Sequence, residues 1–414
     1  MNLKLFFKIV ALLACFKSSF MHSMDTTFGS PTTTTTTPRF ATKNLTSFDS
    51  SFSYYRADSS YNSKGQKTAL LSYNGPEDLL KRLVDPKLSP TDTSSVGKAL
   101  VDATFSFENC SLTYTQNIGE NFYFALESSL SNVDVRHLKI QPINSKCQCL
   151  SQSEIKANPT LQSYLKKLDN LIYSNGKNSF FYSVIGPSFL TAGYTKHFQD
   201  FNYIDFIDFT FFTGIAVPII NVSPINDSPA SISIFSVPIY NYTCLGVPME
   251  ASVMVALYDW LNIGTNALVM PFINSANRVA LNTTKTNNIN FLPDYGYASI
   301  HHRPFIYFDG YIQAEQFIPC LSLMAAFSYA QQFKTIYDSL DKVQFPNDVI
   351  NAFPAHRPWQ AAYITLTAEL DFATESHKNL PHFQIVYVAP VFGRSVFKTS
   401  AASAQMSIEV LWDF

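Results

Sequence analysis

The sequence predicts an all-β fold, a transmembrane antiparallel β-barrel of about twelve strands (ten to fourteen), with short helices in long loops. Three observations predict it. Charged residues make up only 14% of the chain while aromatics reach 15%. The apolar residues are finely divided along the chain instead of gathered into long runs. The connections between alternating segments are short and long in turn.

The composition comes first because it limits the rest. Soluble domains carry about 25% charged residues, so this chain, with 36 Phe and 22 Tyr, should hide much of its surface from water. Its mean hydropathy is nevertheless near neutral, at +0.02. A spanning helix needs about 20 consecutive apolar residues. The best stretch past the N-terminal region, Ala251 to Ile273, is broken by Asp259, Asn262 and Asn266. Only helices and closed barrels satisfy their backbone groups in lipid, so divided apolar content points to strands. A length of 414 residues would otherwise allow two or three domains, but a barrel grows by adding strands to one sheet. The net charge of −2 and the lack of a basic patch argue against a nucleic-acid partner.

Residues 1–24 read as a signal peptide: Lys4 and Lys8, an apolar run from Ile9 to Phe16, then a polar step. Met21-His22-Ser23 is the best cleavage site, and Leu12-Leu13-Ala14-Cys15 offers a lipoprotein-type alternative. Residues 25–66 contain six consecutive threonines (Thr32 to Thr37) between Pro31 and Pro38, then a Ser/Tyr/Thr-rich stretch. That composition reads as a disordered linker, or as a mucin-like stalk with sequons at Asn44, Asn221, Asn241 and Asn282. The barrel is then expected over 67–414. Cys110, Cys147, Cys149, Cys244 and Cys320 are too scattered for a disulfide scaffold and read as unpaired thiols.

Membrane strands run about 9–11 residues with side chains on alternating faces. Leu321, Leu323, Ala325, Phe327 and Tyr329 alternate with Ser322, Met324, Ala326, Ser328 and Ala330. Ala362, Ile364, Leu366, Ala368, Leu370 and Phe372 alternate with Tyr363, Thr365, Thr367, Glu369 and Asp371. Further strands are expected at 98–116, 121–141, 188–200, 203–218, 247–259, 262–273, 304–318, 381–393 and 403–414. Short connections near 117–120, 201–202, 260–261, 319–320 and 375–380 fall on one side. The long ones, 142–187, 219–246, 274–303 and 335–357, fall on the other. An even strand number asks for one more strand, placed at Lys67 to Asn74. Helices are expected at Ser153 to Tyr173 and, starting at Gly75-Pro76-Glu77, through Leu83. Tyr258, Trp260, Phe272, Phe305, Tyr307, Phe333, Trp359 and Trp412 are candidates for an interfacial aromatic girdle.

At the end of the sequence, Met406, Ile408, Val410, Trp412 and Phe414 take every second position. Gln405, Ser407, Glu409 and Asp413 hold most of the places between. This pattern resembles the C-terminal strand of bacterial outer-membrane β-barrel proteins, whose terminal Phe and alternate apolar residues form the signal read by the barrel-assembly machinery. The resemblance implies export through the inner membrane and insertion among outer-membrane lipids. It names no solute.

No catalytic set emerges. His301-His302 are adjacent and so would point to opposite faces of a strand. There is no Gly-rich phosphate loop, His-Glu-x-x-His or Gly-x-Ser-x-Gly. Neither a metal nor another cofactor is called for, and an enzyme is not expected. The polar face of the strands offers Asp102, Glu108, Glu127, Asp208, Glu250, Glu369, Asp371 and Glu409 as lumen-lining carboxylates. Carboxylate rings favour cations in a pore, so the expectation is a porin-like channel for small hydrophilic solutes with a cation preference. The alternative is a surface-interaction (adhesin-like) barrel with a filled lumen, its carboxylates paired with arginines such as Arg136 or Arg394.

Overall fold

The computed structural model describes residues 45–411, apart from 74, 82–83, 86, 89–91, 174–179, 186–187, 200, 202, 218–219, 222–243, 259, 282–293, 319, 353–356 and 373–380. The signal-peptide segment, the threonine run, Trp412 and Phe414 lie outside the described residues.

Twelve antiparallel strands close into a barrel. In chain order they are β1 (Leu45–Ala57), β2 (Ser95–Ile118), β3 (Phe122–Ile143), β4 (Ser188–Phe198), β5 (Phe206–Val217) and β6 (Met249–Tyr258). Then follow β7 (Leu261–Met270), β8 (Phe305–Ile318), β9 (Leu321–Gln332), β10 (Trp359–Asp371), β11 (His382–Arg394) and β12 (Ser400–Leu411). Each strand pairs with its sequence neighbour. The seam is closed by β12 on β1, in register from Leu45↔Leu411 to Arg56↔Ser400. Among the described residues no helix is long and apolar enough to cross a membrane.

The first strand corrects the sequence reading. It lies at Leu45–Ala57, inside the segment read as linker, and pairs with β12 on one side and β2 on the other. Ser and Asp at inward positions look like a solvated linker when only composition is weighed. Phe48, Phe52 and Tyr54 face out between them. The expected strand over Lys67 to Asn74 is instead a two-residue strand, Lys67–Thr68, followed by a 3-10 turn at Leu70–Ser72. The helix expected from Gly75 is also replaced. Glu77–Leu80 is a short strand laid on the overhanging end of β2, because burying Leu79 and Leu80 outweighs a weak helix start. The other helical expectation holds as Gln152–Lys156, with Ser151 and Glu154 forming a capping box, and Pro159–Tyr173.

The wall alternates along most of each strand, with bulges such as the one at Ala362/Tyr363. On β9, Leu323 and Phe327 are 43% and 50% exposed while Ser322 and Ser328 are 2% and 1% exposed. On β10, Ile364, Leu366 and Leu370 are exposed and Tyr363, Thr367 and Asp371 buried. Exposed apolar residues recur around the barrel, among them Leu112, Leu130, Phe211, Ile263, Ile312 and Ile385. So continuous an apolar exterior is uncompensated in water and fits hydrocarbon. The wall is therefore the lipid-facing surface of a transmembrane barrel.

The two ends differ. At one end the strands are joined by short connections, and exposed aromatics gather there: Phe122 against Tyr194, Phe198, and Tyr258 stacked on Trp260 at 6.3 Å. Tyr and Trp suit the headgroup level because they are amphipathic. Of the expected girdle, Phe305, Tyr307 and Trp359 point into the barrel instead, each under 8% exposed. At the other end β2 and β3, 24 and 22 residues long, overhang the barrel. There β3 leaves β4 for a further strand at Phe180–Ile185. A separate small sheet of Ser275–Leu281, Asp294–His301 and Ile336–Ser339 sits among the long connections, around Cys244, Ile300, Tyr337, Phe345 and Ile350.

Candidate functional site in the lumen

The inward face of each strand changes character along its length. Toward the long-connection end it is apolar. Val101, Phe105 and Phe107 of β2, Val133 and Val135 of β3, Phe305 of β8, Tyr363 of β10 and Val386 and Val388 of β11 form one buried core. Leu70, Leu71 and Tyr73, from the connection between β1 and β2, drop into that core together with Val396 and Phe397. Phe397 meets Phe105 at 5.5 Å and Tyr73 at 5.7 Å. The plug is pinned by hydrogen bonds: Val101 N–H donates to Ser72 Oγ at 2.8 Å, and Leu70 N–H donates to Asp102 Oδ1 at 3.3 Å. Asp102 is thus an anchor for the plug and not part of an open lumen wall.

Below this core the lumen is polar. Asp49, Ser51, Ser111, Thr113, Thr115, Glu127, Thr191, Thr210, Glu250, Ser252, Asn266, Asp309 and Gln405 surround a chamber of ≈ 230 Å³, with Tyr123, Phe189, Phe212 and Tyr307 as its rings. Small hydroxyls knit the wall across strands. Ser51 and Ser111 lie 2.6 Å apart, Ser53 donates to Ser403 at 2.9 Å, and Thr195 and Thr210 lie 3.1 Å apart. Asn266 donates to Asp309 Oδ1 at 2.8 Å and Asn262 to Glu315 Oε2 at 2.6 Å. Two tyrosines are seated against glycines of the neighbouring strand. A Cβ on Gly193 would fall 2.2 Å from the Tyr123 ring, and one on Gly264 would fall 2.2 Å from the Tyr311 ring. Only glycine leaves room for that seat.

The sequence-predicted carboxylates divide. Glu127 and Glu250 line the chamber. Asp208, Glu369 and Asp371 also face inward, nearer the short-connection end. Asp208 is 2.5 Å from His197 Nδ1, and Asp371 is 3.0 Å from His382 Nδ1. Glu108 is on the opposite face of β2 from the lumen, in the parity of exposed Cys110 and Leu112. Arg136, an expected partner of the lumen carboxylates, pairs with Asp134 on that same outer surface. Glu409 is placed only by register, opposite Ser47. Arg394 sits over the Phe392 ring at 5.5 Å instead of reaching a lumen carboxylate. Three inward carboxylates escaped the sequence reading: Asp49 in the misread first strand, and Asp309 and Glu315 on β8. Strict alternation from Tyr307 and Tyr311 would have found the last two.

The inward-facing strand positions therefore carry Asp49, Glu127, Asp208, Glu250, Asp309, Glu315, Glu369 and Asp371, and among the described residues no Lys or Arg. The two inward histidines, His197 and His382, each answer one of these acids. Met406 and Ile408 of the expected assembly signal face out and are exposed. Outside the span, burial lowers the pKa of His302 to about 4, and its Nδ1 lies 3.0 Å from Thr335 Oγ1.

No protein-family model matches the chain, and no curated protein sequence matches it. Solved barrels do resemble it in structure. An outer membrane channel from Pseudomonas putida F1 superposes with a TM-score of 0.49 at 10% identity, over 90% of this chain and 98% of that one. The transport unit of the autotransporter AIDA-I from Escherichia coli gives 0.37 at 9% identity, over 92% and 93%. A deletion mutant of the monoaromatic hydrocarbon channel TodX gives 0.36 at 10% identity, over 90% and 92%.

Proposed function

We propose that this chain is a bacterial outer-membrane channel that passes small hydrophilic solutes and prefers cations. The lipid-facing wall, the aromatics at the short-connection end and the alternate apolar residues Met406, Ile408 and Val410 support insertion in an outer membrane by the barrel-assembly machinery. Short turns would then face the periplasm. The observation that carries the channel reading is the one-signed lumen: eight inward carboxylates and no described inward Lys or Arg. A low-dielectric wall concentrates such a field, drawing cations in and repelling anions. The solute would enter from the periplasmic mouth into the chamber, and the plug of Leu70, Leu71 and Tyr73 would have to yield for passage to the outside.

The filled outer half favours a second reading, a surface barrel whose loops bind a neighbouring surface. Conductance separates the two. Refolded protein in a planar bilayer under a salt gradient should give small steps with a cation-selective reversal potential. Glu127→Gln with Glu250→Gln should move that potential toward zero, and Leu70→Ser with Leu71→Ser should raise the open fraction. An inserted barrel that stays silent even with the loosened plug would leave only the surface reading.

A further inference from the structure

The chamber is more than a stretch of polar wall. It is a partly open space of ≈ 230 Å³, below the ~300–1,000 Å³ of sites for drug-sized ligands, so it suits a small occupant. Four carboxylates border it, from four different strands: Asp49, Glu127, Glu250 and Asp309. Glu127 lies within electrostatic reach of Asp49, and Glu250 within reach of Asp309. The four are not equally accessible. Asp309 is only 1% exposed. Asn266 donates to its Oδ1 at 2.8 Å and Tyr307 also engages the carboxylate, so Asp309 is a fixed group set in the wall just behind the chamber surface.

The donor pattern also selects the kind of cation. Among the described residues no three acidic, His or Cys groups converge closely enough to hold a metal ion. The charges are spread around the wall, with rings between them: Tyr123, Phe189, Phe212 and Tyr307. A compact metal ion wants converging oxygens at short range. An organic ammonium instead gains from aromatic faces and from carboxylates that need not coordinate it directly.

We propose that the chamber is a binding site for one small organic ammonium ion, held between Glu127 and Glu250, with the Asp309 carboxylate fixed in the wall behind them, and faced by the Phe212 and Tyr123 rings. This deepens the channel reading, since it takes the same lumen as the functional site, but binding does not require conduction. The test is calorimetric titration of the refolded full-length barrel in detergent micelles, with tetramethylammonium chloride as probe. Uncharged tert-butanol serves as the shape control and sodium chloride as the ionic-strength control. Saturable one-to-one binding of tetramethylammonium is expected, about tenfold tighter than either control, and about tenfold weaker in Glu250→Gln. Phe212→Leu keeps most of the volume and removes a ring. It should lose the preference for tetramethylammonium over sodium while keeping the heat-dependent gel mobility of a folded barrel. Absence of saturable heat, equal binding of tert-butanol, or indifference to both substitutions in folded protein would overturn the proposal. Saturable binding in a barrel that is silent in bilayers would support the site and count against the channel.

Discussion

The two halves of the lumen are built by the same strands in the same register, yet they are chemically opposite. Along the inward stripe of β2, Thr115, Thr113 and Ser111 at one end give way to Phe107, Phe105 and Val101 at the other. On β3, Glu127 and Ser131 give way to Val133 and Val135. The polar half must be satisfied by cross-strand hydroxyls and amides, and it leaves a chamber. The apolar half needs a partner to bury, and finds it in Leu70, Leu71 and Tyr73 from the first long connection. Alternation fixes which face a residue takes. What fills that face is decided by whatever the loops deliver.

The largest effect should come from the apolar half. Phe105 is fully buried between Phe107 and Phe397. Phe105→Ala removes the ring and leaves a hole that the closed wall cannot collapse into, a loss of about 3–5 kcal/mol. The gel-mobility transition of the folded barrel should move to lower temperature, and the plug should become accessible to protease. If Ser111→Ala in the polar half costs as much, the division drawn between the halves is wrong.

How far the sequence revealed this follows from the same division. Where polar and apolar faces differ, as on β9 and β10, alternation located both the strand and its inward face. Where they do not, it failed. β1 was hidden because its inward Ser51 and Ser53 and its Ser/Thr-rich neighbourhood look like a linker, and its pairing partner β12 lies more than 340 residues away. Phe305, Tyr307 and Trp359 were placed in a girdle because aromatics near strand ends suit an interface. The apolar plug that draws them inward comes from another part of the chain. Glu127 and Glu250 were legible as lumen residues by parity. Their meeting with Asp49 and Asp309 around one chamber was not, since it depends on barrel closure.

An intermediate effect is expected at the outer loops, where His302 is 7% exposed against Phe272. Its folded pKa of about 4 lies below the ordinary value of 6.5. Above pH 6.5 the ring is neutral folded or unfolded and stability does not change. As pH falls from 6.5 to 4 the unfolded segment takes up a proton that the folded one refuses, a loss reaching about 3 kcal/mol. Protease sensitivity of the 271–304 and 333–358 connections should rise over that range and level off below it. His302→Gln should flatten the curve. A flat wild-type profile would mean that the ring is hydrated.

The smallest effect tests the polar half at its tightest joint. The Tyr311 ring of β8 lies directly on Gly264 of β7, its register partner. Gly264→Ala would put a methyl 2.2 Å from the ring carbon Cζ and 2.3 Å from the hydroxyl, so the ring must swing into the lumen. Displacing one side chain into a partly open space is cheaper than overpacking a solid core, and the cost should sit near the low end of about 1–3 kcal/mol. With Tyr311→Ser already in place the clash is gone, so adding Gly264→Ala to that variant should cost little. Added bulk in the filled half, Ala103→Val beside Phe105, has no space to swing into and should cost more for each methyl group added. Were the costs per methyl equal, the lower lumen would be as tightly filled as the upper one, and the chamber would lose its standing as an open site.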